Sequence, residues 1–276
     1  MISILNKYSN LTQRIIAAVV GVIIIVSSLM AGMWYYYIVF LFIAVVTQLE
    51  FYKLVGLDGM IPLKSFGTIC GIALFSLSFF IESSLLDAKF YLLMFPLVAC
   101  AYLIYLYRKQ ITKPFRGIAF TFLGIIYVML PFSLLNVIIF QPGDYAYELV
   151  LGSLFILWAY DTGAYFTGVR FGKRKLFERI SPKKSWEGFI GGVIFSIGMA
   201  LLINHFTEVL VTWKWIGVAL LIVIGGTYGD LVESLFKRSI EIKDSGRLIP
   251  GHGGFLDRFD GLLLSVPFIA AFLKIF

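Results

Sequence analysis

Apolar stretches long enough to cross a lipid bilayer follow one another along almost the whole of this 276-residue chain. A spanning helix needs ~20 mostly apolar residues, because every backbone N–H and C=O must find a partner where water is absent. Candidates lie near 14–32, 34–50, 66–82, 90–107, 117–140, 149–168, 188–205, 213–236 and 261–276. The pattern predicts an all-α, polytopic integral membrane protein of about nine transmembrane helices. Composition excludes the soluble alternative: 60% of residues are hydrophobic and 14% charged, where a soluble domain carries roughly a quarter charged residues. In water that surplus would lie in exposed apolar patches and drive aggregation. Lys7 and Arg14 precede the first apolar run as in a signal peptide. Trp34, Tyr35, Tyr36 and Tyr37 and a second apolar run follow almost at once, so an uncleaved first span is expected.

Basic residues orient the spans. Of the 23 lysines and arginines, all but Lys89, Lys214 and Lys274 fall on the side that holds the N-terminus and the loops after the even-numbered spans. Lys and Arg mark the cytoplasmic side, so the N-terminus is expected there. Two regions follow from the span count: an N-terminal membrane region of about five helices, 1–145, and a catalytic membrane region, 146–276. Polar residues concentrate at 169–187 and 229–260, both on the cytoplasmic face, and function is sought there. The net charge of +7 suits anionic lipid head groups. No basic arm, zinc-ligand spacing or aromatic signature accompanies it, so nucleic acid is not an expected partner. Cys70 and Cys100 sit in apolar stretches and read as small core residues rather than as a disulfide framework.

Several carboxylates stand where hydrocarbon is expected. Asp161 falls inside the sixth span, where a charge costs at least ~2.5–3.5 kcal/mol and so faces a polar cavity or a partner. Gly163, Ala164 and Gly168 on adjoining turns allow a neighbouring helix to approach closely. Asp161 is therefore either a site residue or a hydrogen-bonding post between helices. In the eighth span Asp230, Glu233 and Lys237 share one helical face, with Ser234 beside them. Two carboxylates one turn apart suit a hard cation such as Mg²⁺.

Five glycines lie between Gly246 and Gly261, and such a segment lets backbone amides approach phosphate oxygens. Asp257 and Asp260 are three apart and would share a face if a helix begins there. Lys243, Arg247, His252 and Arg258 add positive charge. Carboxylates for a metal, flexible amides and fixed cations together suit phosphoryl or nucleotidyl transfer, where catalysis is mainly positioning and charge stabilisation. Upstream, Ser181 before Pro182 predicts a helix N-cap with proline in the first turn. Lys183 and Lys184 beside that helix start form either an anion site or plain topogenic charge.

Residues 234–260 resemble the signature of the phosphatidate cytidylyltransferases, also called CDP-diacylglycerol synthases. Ser234, Lys237, Arg238, Lys243, Asp244, Gly246, Pro250, His252, Gly253, Gly254, Asp257, Arg258 and Asp260 meet every fixed position of that pattern. The stretches from Asp161 to Tyr165 and from Ser181 to Gly188 are also similar to the family. The resemblance implies that phosphatidic acid attacks the α-phosphorus of CTP, giving CDP-diacylglycerol and pyrophosphate. It implies that Asp230 and Asp257 bind Mg²⁺, with Asp260, Glu233 or Asp161 completing or orienting the shell. Lys237, Lys243, Asp244, Arg238 and Arg258 are implied in catalysis and charge neutralisation. Lys183, Lys184, Ser185, Arg247, His252, Gly253 and Gly254 are implied in binding CTP or the lipid phosphate. A second, potassium-like ion, a homodimer and an inner-membrane location with the site facing the cytoplasm are further implications of the family.

Three rivals remain in view. A CTP-dependent lipid or polyprenol kinase would transfer the γ-phosphate, and the intact 234–260 pattern argues against it. A CDP-alcohol phosphotransferase needs further aspartates that do not follow Gly261. A transporter should carry polar residues through the bilayer depth, whereas these gather at one face.

Overall fold

The computed structural model describes residues 10–59, 61–108, 113–242, 245–246 and 253–276. The described chain is almost entirely helical. In order it forms α1 (Asn10–Ala31), α2 (Met33–Leu57), α3 (Lys64–Glu82), a short 3₁₀ turn (Ala88–Leu93) leading into α4 (Met94–Leu106), then α5 (Pro114–Gly124). A single π-turn (Ile125–Met129) joins α5 to α6 (Leu130–Ile139), and α7 (Tyr147–Phe171), β1 (Lys175–Phe177), β2 (Ser181–Ser185), α8 (Trp186–Phe206), α9 (Thr212–Ser239) and α10 (Leu256–Ile275) follow.

Among the described residues, seven helices are long and apolar enough to cross a membrane. The expected nine included two more. α1 contributes the shorter apolar stretch Ile15–Ala31, and α10 begins with the charged residues Asp257, Arg258 and Asp260. The chain is thus a polytopic helical membrane protein. Its large exposed residues, such as Phe95, Leu103 and Leu106 on α4, are what a lipid-facing surface requires.

Contacts divide the chain into two compact units. The first comprises residues 1–133 with 242–258, and the second 134–241 with 259–276. In the first unit, polar side chains bind apolar helices together, since helix association in lipid has little hydrophobic drive. Gln48 Nε2 donates to the Gly67 carbonyl and to Tyr52 Oη, each at 3.1 Å, and Tyr52 Oη donates to the Thr121 carbonyl at 2.8 Å. Gln48, Tyr52 and Thr121 are all fully buried. α2 runs seven residues beyond the expected end at 50, because Phe51, Tyr52, Leu54 and Val55 bury their side chains and prolong the apolar face. Glu50 consequently lies two turns inside the helix.

In the second unit, α7 and α8 form the most extensively packed helix pair. The close approach expected around Gly163 and Ala164 is present: a side chain at Gly163 would strike Phe195, and one at Gly188 the Ala164 carbonyl. Between these helices the structure corrects the expected helix start at Ser181. Residues 181–185 are instead a strand, paired antiparallel with 175–177 in the register Phe177↔Ser181 and Lys175↔Ser185. The cap is Ser185, whose Oγ accepts from Gly188 N at 3.1 Å. Glu187 helps decide the choice, because its carboxylate accepts from the N–H groups of Lys173 and Arg174 and Trp186 N donates to the Arg174 carbonyl at 3.0 Å. A helix begun at Ser181 would break the hairpin pairing that these contacts close.

Candidate active site

The central cluster is built in the second unit, where α9 packs against α10 at Asp260. On α9, Asp230 and Glu233 lie one turn apart, as their spacing dictates. Asp260 on α10 joins them, and one carboxylate oxygen from each lies within 4.8 Å of the others. Small residues make this convergence possible. Gly225 and Gly229 stand one turn apart on α9, and a Cβ at Gly225 would come within 2.6 Å of Ser265 Cα. A Cβ at Gly229 would fall on the carbonyl oxygen of Asp260 itself. The two backbones are therefore in contact, which draws Asp260 onto the carboxylate face of α9.

Two lysines face this acidic group. Lys184, at the end of β2, places Nζ 2.6 Å from Asp230 Oδ2 and 3.3 Å from the Thr227 carbonyl. Lys237 pairs with Glu233 one turn below on α9. The pairs differ in kind. Asp230 and Lys184 are partly exposed, and such a pair is worth about 0–1 kcal/mol, so it positions more than it stabilises. Glu233 is 1% exposed, and a charge buried to that degree needs its partner. Ser234 Oγ donates to Asp230 Oδ1 at 3.1 Å, and Gly261 N donates to Asp260 Oδ1 at 2.6 Å. Beneath the cluster Tyr160 and Thr227 share a 2.5 Å hydrogen bond that ties α7 to α9. Asp161, the next residue on α7, is exposed and outside the three-carboxylate group, yet near enough for its charge to act on Asp260.

Three carboxylates this close repel one another, and the two paired lysines offset only part of that charge. The donor set, oxygen only and partly desolvated, fits a hard divalent ion. Asp230, Glu233 and Asp260 are the described residues able to hold one.

The first unit holds the glycine-rich turn. Asp257 Oδ2 accepts from Gly254 N at 2.9 Å and from Ser245 N at 3.0 Å. Its carboxylate thus ties together the two ends of the segment that runs from 245 to 254. Glu50, which sequence reasoning passed over as the end of a span, accepts from Leu256 N at 3.0 Å. The overlooked signal was a glutamine and a glutamate two residues apart, Gln48 and Glu50, in an otherwise apolar run. Of the other expected site residues, Ser185 is buried with its hydroxyl engaged in the cap, Lys183 and Arg238 are exposed, and Arg258 is exposed on the first turn of α10. Gly253 and Gly254 flank the turn. Lys243, Asp244, Arg247 and His252 lie outside the described residues.

The profile of the cytidylyltransferase family matches residues 12–276, nearly the entire chain. The chain belongs to the cytidylyltransferase family. It is 40% identical over 156 residues to a phosphatidate cytidylyltransferase of Staphylococcus aureus, covering 56% of this chain and 58% of that protein. A Haemophilus influenzae phosphatidate cytidylyltransferase is 46% identical over 129 residues, 45% of either chain. One from Bacillus subtilis is 36% identical over 166 residues, 60% of this chain and 61% of the other. The chain thus spans about half to three fifths of the length of the curated relatives it matches.

Proposed function

We propose that this protein transfers CMP from CTP to phosphatidic acid, giving CDP-diacylglycerol and pyrophosphate. The observation that carries this reading is the convergence of Asp230, Glu233 and Asp260 with Lys184 and Lys237 already paired to two of them. The names of the relatives agree with it.

In the proposed reaction an oxygen of the phosphatidate phosphate attacks the α-phosphorus of CTP. The bond from that phosphorus to the bridging oxygen of the β-phosphate breaks, and pyrophosphate leaves. Phosphatidate is ionised at neutral pH, so no general base is required. Asp230, Glu233 and Asp260 would hold Mg²⁺, which would supply Lewis-acid stabilisation of the charged phosphates. Lys184, on the end of a strand and only loosely held by Asp230, turns its ammonium to the incoming phosphates. Lys237 pairs with the buried Glu233 and holds it in register. Lys183, Arg238 and Arg258 add exposed positive charge for the triphosphate and the lipid head group. The site belongs at the cytoplasmic face of the inner membrane, where the lipid keeps its tails in the bilayer and its phosphate meets water-soluble CTP. The asymmetry of lysine and arginine between the two sides supports that orientation.

The test supplies the purified full chain, in vesicles containing phosphatidic acid and with Mg²⁺ present, with CTP labelled at either the α- or the γ-phosphorus. Label from the α-position in extracted lipid, with release of pyrophosphate, is the expected result. Label from the γ-position in lipid would identify a lipid kinase, and neither label would return the transporter reading.

A further inference from the structure

We propose that Glu50, on the second helix, is a positioning residue that holds together the described ends of the glycine-rich segment, 245–246 and 253–257, the pair of ends called the turn below. The inference rests on the transferase reading for its catalytic consequence and on geometry for the anchor itself. Glu50 is a carboxylate 5% exposed, two turns inside an apolar helix, and nothing in the reaction outlined above uses it. Burial of such a group is costly unless hydrogen bonds offset it. One is present: Oε2 accepts from Leu256 N at 3.0 Å, at the first residue of α10. A carboxylate there also suits the positive end of that helix.

The same carboxylate explains two glycines of the turn. A Cβ at Gly246 would lie 2.7 Å from Glu50 Oε1. A Cβ at Gly254 would fall on Glu50 Oε2 and on Ser245 Oγ, and within 2.9 Å of Glu50 Cδ. Both strands of the turn therefore close around the Glu50 head group, and only glycine leaves it room. Asp257 then fastens the same two strands from the other side through Ser245 N and Gly254 N. Glu50 is not one of the three clustered carboxylates, Asp230, Glu233 and Asp260. Its influence passes through the turn, which is what distinguishes positioning from direct catalysis.

The experiment compares wild type, E50A and E50Q as full chains in vesicles, by hydrogen exchange and by steady-state kinetics. Amides between 245 and 257 should exchange about tenfold or more faster in E50A, as local opening becomes easier, while peptides from α7 and α8 keep their wild-type rates. Turnover in E50A should fall about tenfold or more with KM for CTP within about twofold, the mark of lost geometry rather than lost binding. Glutamine retains an oxygen that accepts from Leu256 N, so E50Q should recover both properties. Unchanged exchange in E50A, or fast exchange with wild-type turnover, would overturn the proposal. If E50A does not fold, Gly246→Ala puts a methyl group against Glu50 Oε1 with the carboxylate intact; wild-type exchange in 245–257 there would overturn it equally. A wild type that transfers no CMP would instead sink the transferase reading, and the exchange comparison would still decide whether Glu50 anchors the turn.

Discussion

Lys237 and Glu233 make the most consequential ion pair of the site, because the carboxylate is 1% exposed. Removing the cation alone leaves a buried charge without its ammonium, which typically costs about 3–5 kcal/mol. Lys237→Met should therefore lower the thermal midpoint of the purified protein, and adding Glu233→Gln should restore much of it. A Lys237→Met midpoint equal to wild type would show that the pair is not held as described. Lys184→Ala should behave differently, since its pair with Asp230 is half in solvent and contributes about 0–1 kcal/mol. Its midpoint should stay near wild type while its KM for CTP rises. At this scale Asp230, Glu233 and Lys237 were legible from spacing alone, because a helix puts residues three and four apart on one face. Spacing alone placed Asp260 only near a helix start, its metal role coming from the family resemblance, and the backbone partners of Asp257 were not legible at all. Those partners are backbone amides of Ser245 and Gly254, and no side-chain pattern announces a backbone donor.

At the scale of elements, the crossing of α9 and α10 brings the carboxylates together. Gly229→Ala would press a methyl group onto the Asp260 carbonyl, a backbone atom that cannot swing aside. The variant should insert and purify, yet lose most transfer activity; near-normal turnover would mean that the crossing is not needed for the site. The cap of α8 is a milder case. Ser185→Ala removes the acceptor for Gly188 N, a loss of about 1 kcal/mol, and should shift the thermal midpoint by a few degrees at most. The helices themselves were readable from hydropathy, and their lengths differ from expectation mainly at their ends. The hairpin at 175–185 was not. Ser181 before Pro182 reads as a helix start in sequence, but the strand pairing of Phe177 with Ser181 moves the cap to Ser185. The glycines at 225 and 229 have the spacing of four that marks close helix contact, but nothing in the sequence says which helix approaches them.

For the whole molecule, the distribution of lysine and arginine predicts which side each loop faces. A cysteine at Lys175, on the hairpin, should react with a membrane-impermeant maleimide only after cells are opened, and one at Lys214 should react in intact spheroplasts. The native background is small, since Cys70 is buried and Cys100 half-buried in apolar helices. Reversed labelling would overturn the orientation and with it the placement of the site beside cytoplasmic CTP. The expected orientation rests on charge bias, a property of composition between spans, whereas the internal boundaries of the two units depend on contacts that sequence does not display. The central claim is that Asp230, Glu233 and Asp260 form the centre of CMP transfer. Its most direct test is the rate of α-phosphorus label entering lipid, measured across a Mg²⁺ titration for wild type, Asp230→Asn and Asp260→Asn. Loss of the charge-stabilising centre should lower turnover about 10²-fold or more in both variants, with folding intact and no recovery at high Mg²⁺. Wild-type turnover in Asp260→Asn would contradict the account.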